Sequence, residues 1–101
     1  MKRYHIRISA FAFKDIENLR FVITEIFKSP HTATVYVEEL RKEINLLAIS
    51  AESFPVSTLN SVIKFGHNAR RINYKKMSII YTIHDNIVLI HRIIPGSMLT
   101  E

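Results

Sequence analysis

The chain has no cysteine among its 101 residues, so neither a disulfide nor a thiolate-held metal stabilises it. That absence fits a reducing compartment. It contains only two glycines, too few for a glycine-rich phosphate-binding loop. Its apolar runs all fall short of the ~18 residues that a membrane helix requires. The start, MKRYHIRISAFAF, is basic but carries no continuous apolar stretch of the signal-peptide type. Five histidines, His5, His31, His67, His84 and His91, show none of the HxH, HxxxH or HExxH spacings of a metal site, and no metal or cofactor is expected. No serine, histidine and aspartate share a spacing that would support a hydrolytic triad.

The most informative absence is of acid. Between Ser53 and His84 there is no Asp or Glu, whereas Lys64, Arg70, Arg71, Lys75 and Lys76 all lie there. The remaining nine basic residues are balanced by nine acidic ones, so the formal charge of +5 originates in this one segment. A local cationic excess favours an anionic partner, either nucleic acid or an acidic protein. It also describes a solvated basic face that keeps a protein soluble.

What is present is apolar and periodic. Hydrophobic residues make up 48% of the chain and charged residues 23%, the balance of one globular domain spanning residues 1–101. Tyr4, Ile6 and Ile8 alternate with His5, Arg7 and Ser9, which predicts a half-buried strand. Ile16, Leu19, Ile23 and Ile26 then step by three and four, with Val22 and Phe27 widening the stripe, which predicts an amphipathic helix. Asp15 and Glu17 stand near its expected start and Lys28 at its end, matching the helix dipole.

Ser29 and Pro30 supply an N-cap and a first-turn proline for a second helix. Its stripe is Ala33, Val37, Leu40, Ile44 and Leu47. The short link between the helices implies an antiparallel hairpin. Burying roughly ten large side chains contributes on the order of 20 kcal/mol gross, so the stripes must pack on each other or on a sheet.

The segment from 48 to 66 is weakly patterned, with one helical turn expected near Leu59 to Ile63. Residues 77–83 and 87–94 read as strands around an Asp85-Asn86 turn. A two-residue turn there pairs Ile83 with Val88, Tyr81 with Ile90 and Ile79 with Arg92, and sets His91 against Ile80. The order strand, helix, helix, loop, antiparallel meander predicts an α+β fold: one sheet packed on a helical hairpin, with its other face open.

Several stretches together resemble the RelE/ParE superfamily of toxins from type II toxin–antitoxin modules, also called plasmid-stabilisation proteins. These are ISAFAFKDIENL, SPHTATVYVEELRKEINLL and RRINYKKMSIIYTIHDNIVLIHRIIPGS. The resemblance covers nearly the whole chain and rests on the ensemble. It implies a cytoplasmic toxin neutralised by an acidic, amphipathic antitoxin segment, in a toxin–antitoxin hetero-oligomer. RelE-like members cut mRNA in the ribosome, and ParE-like members poison DNA gyrase. Shared fold does not choose between these activities.

Metal-free RNA cleavage needs a group to act on the 2′-hydroxyl, cations for the developing phosphorane charge and an acid for the leaving oxygen. Arg70 or Arg71 matches the arginine that precedes the penultimate strand in RelE-like members. Arg71 and His91 are the candidate catalytic residues. Lys64, Arg70, Arg71, Lys75, Lys76 and Arg92 are the candidate contacts to a target or nucleic acid. Arg92 equally suits a structural ion pair, and Tyr74 and Tyr81 suit base stacking or the core. After Gly96 the chain reads Ser97-Met98-Leu99-Thr100-Glu101, without the basic residue and aromatic of RelE-like members. Met98 and Pro95 also stand where many ParE-like members carry an Arg and a His. These departures bear more heavily on the ribonuclease, so the ParE-like gyrase inhibitor is the expected reading. The ribosome-dependent endoribonuclease and an inactive interaction module are the alternatives.

Overall fold

In the computed structural model, which describes residues 2–99, the chain opens with β1 (His5–Ile8). The helices α1 (Ala10–Phe27) and α2 (Pro30–Ser50) follow, with a 3-10 turn over Ala51–Ser53. A single-turn helix α3 (Asn60–Ile63) then leads into β2 (Arg70–Tyr74), β3 (Met77–His84) and β4 (Ile87–Pro95). The four strands form one mixed sheet in the order β1-β4-β3-β2. β1 lies parallel to β4, and the other neighbours are antiparallel. The expected α+β architecture is the one observed.

The second helix forms as its sequence dictates. Ser29 Oγ accepts the Thr32 N–H at 3.2 Å, Pro30 sits in the first turn, and Ala33, Val37, Leu40, Ile44 and Leu47 are all buried. Val37, Leu40, Ile44 and Leu47 meet Ile16 of α1 and Ile79, Tyr81, Val88, Ile90 and Ile93 of the sheet in one core. Tyr81 is fully buried, and its hydroxyl donates to the Ala51 carbonyl at 2.7 Å. The middle of β3 and the end of α2 are thereby tied across the core.

The first helix departs from expectation at both ends. Ser9 Oγ caps it by accepting the Ala12 N–H at 3.0 Å, so the helix begins at Ala10. Asp15 and Glu17 therefore lie beyond the first turn, too far in to complement the dipole. At the other end Val22, Ile26 and Phe27 are 46%, 66% and 62% exposed. The apolar stripe there stays at the surface and does not join the core. Lys28 ends the helix in the left-handed region at φ 51°, where glycine or asparagine is usual.

Two expectations about the sheet are corrected. Ile83 pairs with Val88 and Tyr81 with Ile90, but a bulge then inserts His91, so that Ile80 faces Arg92 and Ile79 faces Ile93. The second face is also covered. Val62, Ala69 and Ile80 form a small cluster there with Leu59, Phe65, Ile94 and Leu99, so α3 and the segment after β4 cover much of what a helical hairpin alone leaves open.

Candidate functional site

The candidate cations reach the surface from different elements. Alternation along β2 sends Arg70 with Ile72 and Tyr74 toward the helices, and Arg71 with Asn73 toward the second face. Arg70 Nη1 donates to the Phe54 carbonyl at 2.9 Å and to the Ala51 carbonyl at 3.3 Å. This guanidinium clasps the loop after α2. Lys64 lies apart, its Nζ 5.4 Å from the Phe65 ring centroid. The five charges of the acid-free segment thus do not share one face of the sheet.

Three of them do converge. Arg71, Lys75 and Lys76 line a cleft of about 440 Å³ with Asn73, Pro95, Gly96 and Ser97. Lys75 and Lys76 form the two-residue turn between β2 and β3, with Lys75 at φ 53°. The Gly96 N–H donates to the Lys76 carbonyl at 2.9 Å, and a Cβ on Gly96 would stand 3.2 Å from Ser78 Oγ. The Gly96 backbone thus packs closely on Lys76 and Ser78. Ser78 Oγ in turn donates to Asn73 Oδ1 at 2.7 Å. The result is a shallow cationic cleft with amide and hydroxyl groups at its edge, suited to an anionic group.

On the helix side Lys75 also covers aromatics. Its Nζ lies 5.4 Å from the Tyr36 ring centroid and 5.6 Å from that of Tyr74, and the two rings meet edge to face at 5.2 Å. Burial pushes the Tyr36 phenol up, with Tyr74 adding to the effect. Beside these rings runs an apolar groove of about 460 Å³ lined by Ile23, Phe27, Val35, Tyr36 and Tyr74, with His31, Thr32, Glu39 and Lys75 at its edges.

Arg92 is held elsewhere. Its Nε and Nη2 donate to Asp15 Oδ2 and Oδ1 at 2.7 and 3.0 Å. These bonds favour its charged form. His91 sits in the bulge, Nε2 2.7 Å from Thr82 Oγ1, its ring 5.5 Å from that of Phe65. Burial, and then His84, hold it below the usual histidine range. Arg71 and His91 therefore belong to different neighbourhoods: Arg71 lines the cleft, and His91 lies against Phe65, just after α3. Tyr81 is a core residue. Among the described residues no group of three or more His, Cys, Asp or Glu could hold a metal, and no helix is long and apolar enough to cross a membrane.

Sequence reasoning missed Asn73 and Ser97 in the cleft, Tyr36 beside the groove, and Asp15 as the partner of Arg92. Only the Asn73–Ser78 pair, closing a hairpin across Lys75-Lys76, left a signal in the sequence. The others depend on how α1 and the chain after β4 dock.

No family model matches the chain, and no curated protein matches it. Among solved structures, the fold is similar to that of a chain from the chromosomal ParDE TA system of P. aeruginosa, with a TM-score of 0.75. The match covers 92% of this chain and 96% of that one at 13% identity. At such identity the likeness is one of fold.

Proposed function

We propose that this chain is the toxin of a type II toxin–antitoxin module, ParE-like in action, arresting growth by inhibiting DNA gyrase in the cytoplasm. In this reading an acidic cognate antitoxin neutralises it within a hetero-oligomer. The observation that carries the proposal is the fold shared along nearly the whole length with a chain of a ParDE TA system. The surface supports it. An apolar groove beside Lys75 and a cationic cleft beyond it suit a partner segment that is both amphipathic and acidic.

Gyrase is preferred over the ribosome because the cleft carries cations without a histidine or tyrosine among its described lining residues to move a proton. Asn73 and Ser97 do not titrate near neutrality, His91 is tied to Thr82 under Phe65, and Ser97-Met98-Leu99 adds no basic or aromatic side chain. The ribonuclease reading draws on one observation, the convergence of Arg71, Lys75 and Lys76 where a phosphate would be stabilised.

The deciding experiment induces the chain in a growing bacterium, maps mRNA 5′ ends within minutes, and assays supercoiling by gyrase with the purified protein. Arrest with intact mRNA and blocked supercoiling is expected. Codon-phased cuts that disappear in Arg71→Ala would establish the ribonuclease instead. Unaffected growth with antitoxin binding would leave an inactive interaction module.

A further inference from the structure

On the second face of the sheet, two imidazoles share one hydroxyl. His84 Nε2 and His91 Nε2 each lie 2.7 Å from Thr82 Oγ1, and Thr82 is 1% exposed. A hydroxyl owns a single proton. It donates that proton to one ring and accepts an N–H from the other. Two neutral rings satisfy this arrangement with opposite tautomers. One charged and one neutral ring also satisfy it, the charged ring donating to Oγ1 and the hydroxyl donating to the neutral ring. Two charged rings do not. Both would donate to Oγ1, the buried hydroxyl proton would lose its acceptor, and two cations would flank one oxygen.

The cover over this cluster belongs to one short segment. Phe65 lies against the His91 ring at a centroid distance of 5.5 Å. A Cβ on Gly66 would stand 3.1 Å from Thr82 Cγ2, so the turn after α3 rests directly on Thr82. Leu59 and Val62 complete the contact over Ile80. Displacing the His91 ring from Thr82 therefore disturbs the seat of this segment.

The surrounding charges do not favour a second proton. Lys64 and His67 lie on the covering segment, and β1 directs His5 and Arg7 to this face by alternation. Arg71 on β2 is also on this face, and Arg92 beside His91 is already neutralised by Asp15. The segment over Gly96–Leu99 adds no charge, and Asp85 follows His84 in the β3–β4 turn. No carboxylate raises the proton affinity of His91, which burial and His84 both lower.

We propose that the Thr82-bridged His84–His91 pair is a proton-operated latch. It holds the segment from Leu59 to Asn68 on the sheet while at most one imidazole is charged, and releases it when both are. The latch stands on its own geometry and does not depend on the function proposed above.

The test is amide hydrogen exchange of the full chain between pH 7.5 and 5, corrected for intrinsic rates, alongside NMR titration of the imidazole protons. Protection at Ile63 to Phe65 is expected to fall about tenfold or more across this range, while Ile79 to Tyr81 keep theirs. In His84→Asn, an exposed substitution, a charged His91 can donate to Thr82 unopposed. His91 should then titrate at higher pH and the segment should stay protected. His91→Phe, which keeps a ring against Phe65, should also show flat protection. Flat protection in the unaltered chain would overturn the latch. So would acid loosening that persists in His84→Asn.

Discussion

Asp15 stands in for a missing strand, binding Arg92 and the backbone beyond it at once. Its Oδ2 accepts the Arg92 Nε–H at 2.7 Å and the Ile93 N–H at 2.9 Å, and its Oδ1 accepts from Arg92 Nη2 at 3.0 Å. β1 pairs with β4 only as far as Ile90, and Ser9 follows by accepting from Ala12 while donating to the His91 carbonyl at 2.8 Å. Beyond that point a helix side chain completes the strand edge. Asp15→Ala is expected to cost about 2–3 kcal/mol, because it leaves the Ile93 N–H without its acceptor and a half-buried guanidinium without its anion. Asp15→Asn keeps an acceptor for Ile93 and should cost less. Urea unfolding midpoints measure both.

Tyr81 gives an alkaline signature. Burial pushes its phenol up to about 12, against the opposing field of Arg70. Between the unfolded value near 10 and that folded value, the folded state holds more protons. Stability from this group is complete below pH 10 and declines as pH rises from there toward 12. Tyr81→Phe should remove the decline and cost about 1 kcal/mol at neutral pH through loss of the bond to Ala51. Denaturation at a series of pH values separates the two effects.

The acid side carries the opposite sign. His91 is held below its ordinary value, so the unfolded chain binds its proton more readily. Stability should fall as pH drops below about 6.5. His91→Phe should flatten that limb of the pH–stability curve while leaving the alkaline limb in place.

The cleft can be tested by charge reversal. Arg71→Glu and Lys76→Glu change exposed or half-exposed residues with no bond to the core, and should shift stability by less than about 0.5 kcal/mol. Each should nevertheless weaken growth arrest if the cleft meets the target. If all three cleft cations contact duplex phosphates, the slope of log K against log salt would be roughly −2.7, and Arg71→Ala would reduce it by about 0.9.

How far the sequence spoke depended on where its signals were local. Ser29, Pro30 and five regularly spaced apolar residues defined α2 completely, because cap, first turn and buried stripe all lie within one helix. The β3–β4 turn and its first two pairs were equally readable. The bulge at His91 was not, because one inserted residue leaves the apolar pattern of β4 nearly unchanged while shifting every later pair. The fate of Ile26 and Phe27 was hidden for another reason. Periodicity says which side of a helix is apolar, but not where the neighbouring sheet stops. The cationic segment was read correctly as a concentration of charge. Its division came from the period of two in β2 and from carbonyls at Ala51 and Phe54 that no local pattern reveals.

The parallel pairing of β1 with β4 has a consequence for synthesis. Ser9 and His91, bonded to each other, are 82 residues apart, and the central strands β3 and β4 are made last. At about 5–20 residues per second, a ribosome needs roughly 2–7 s to go from the end of α2 to the start of β4. For that interval the helices exist without the sheet that covers them, and no partly made chain can present the finished cleft. A cell therefore has a window of seconds in which a second protein can reach the exposed hairpin before the molecule acquires its final shape.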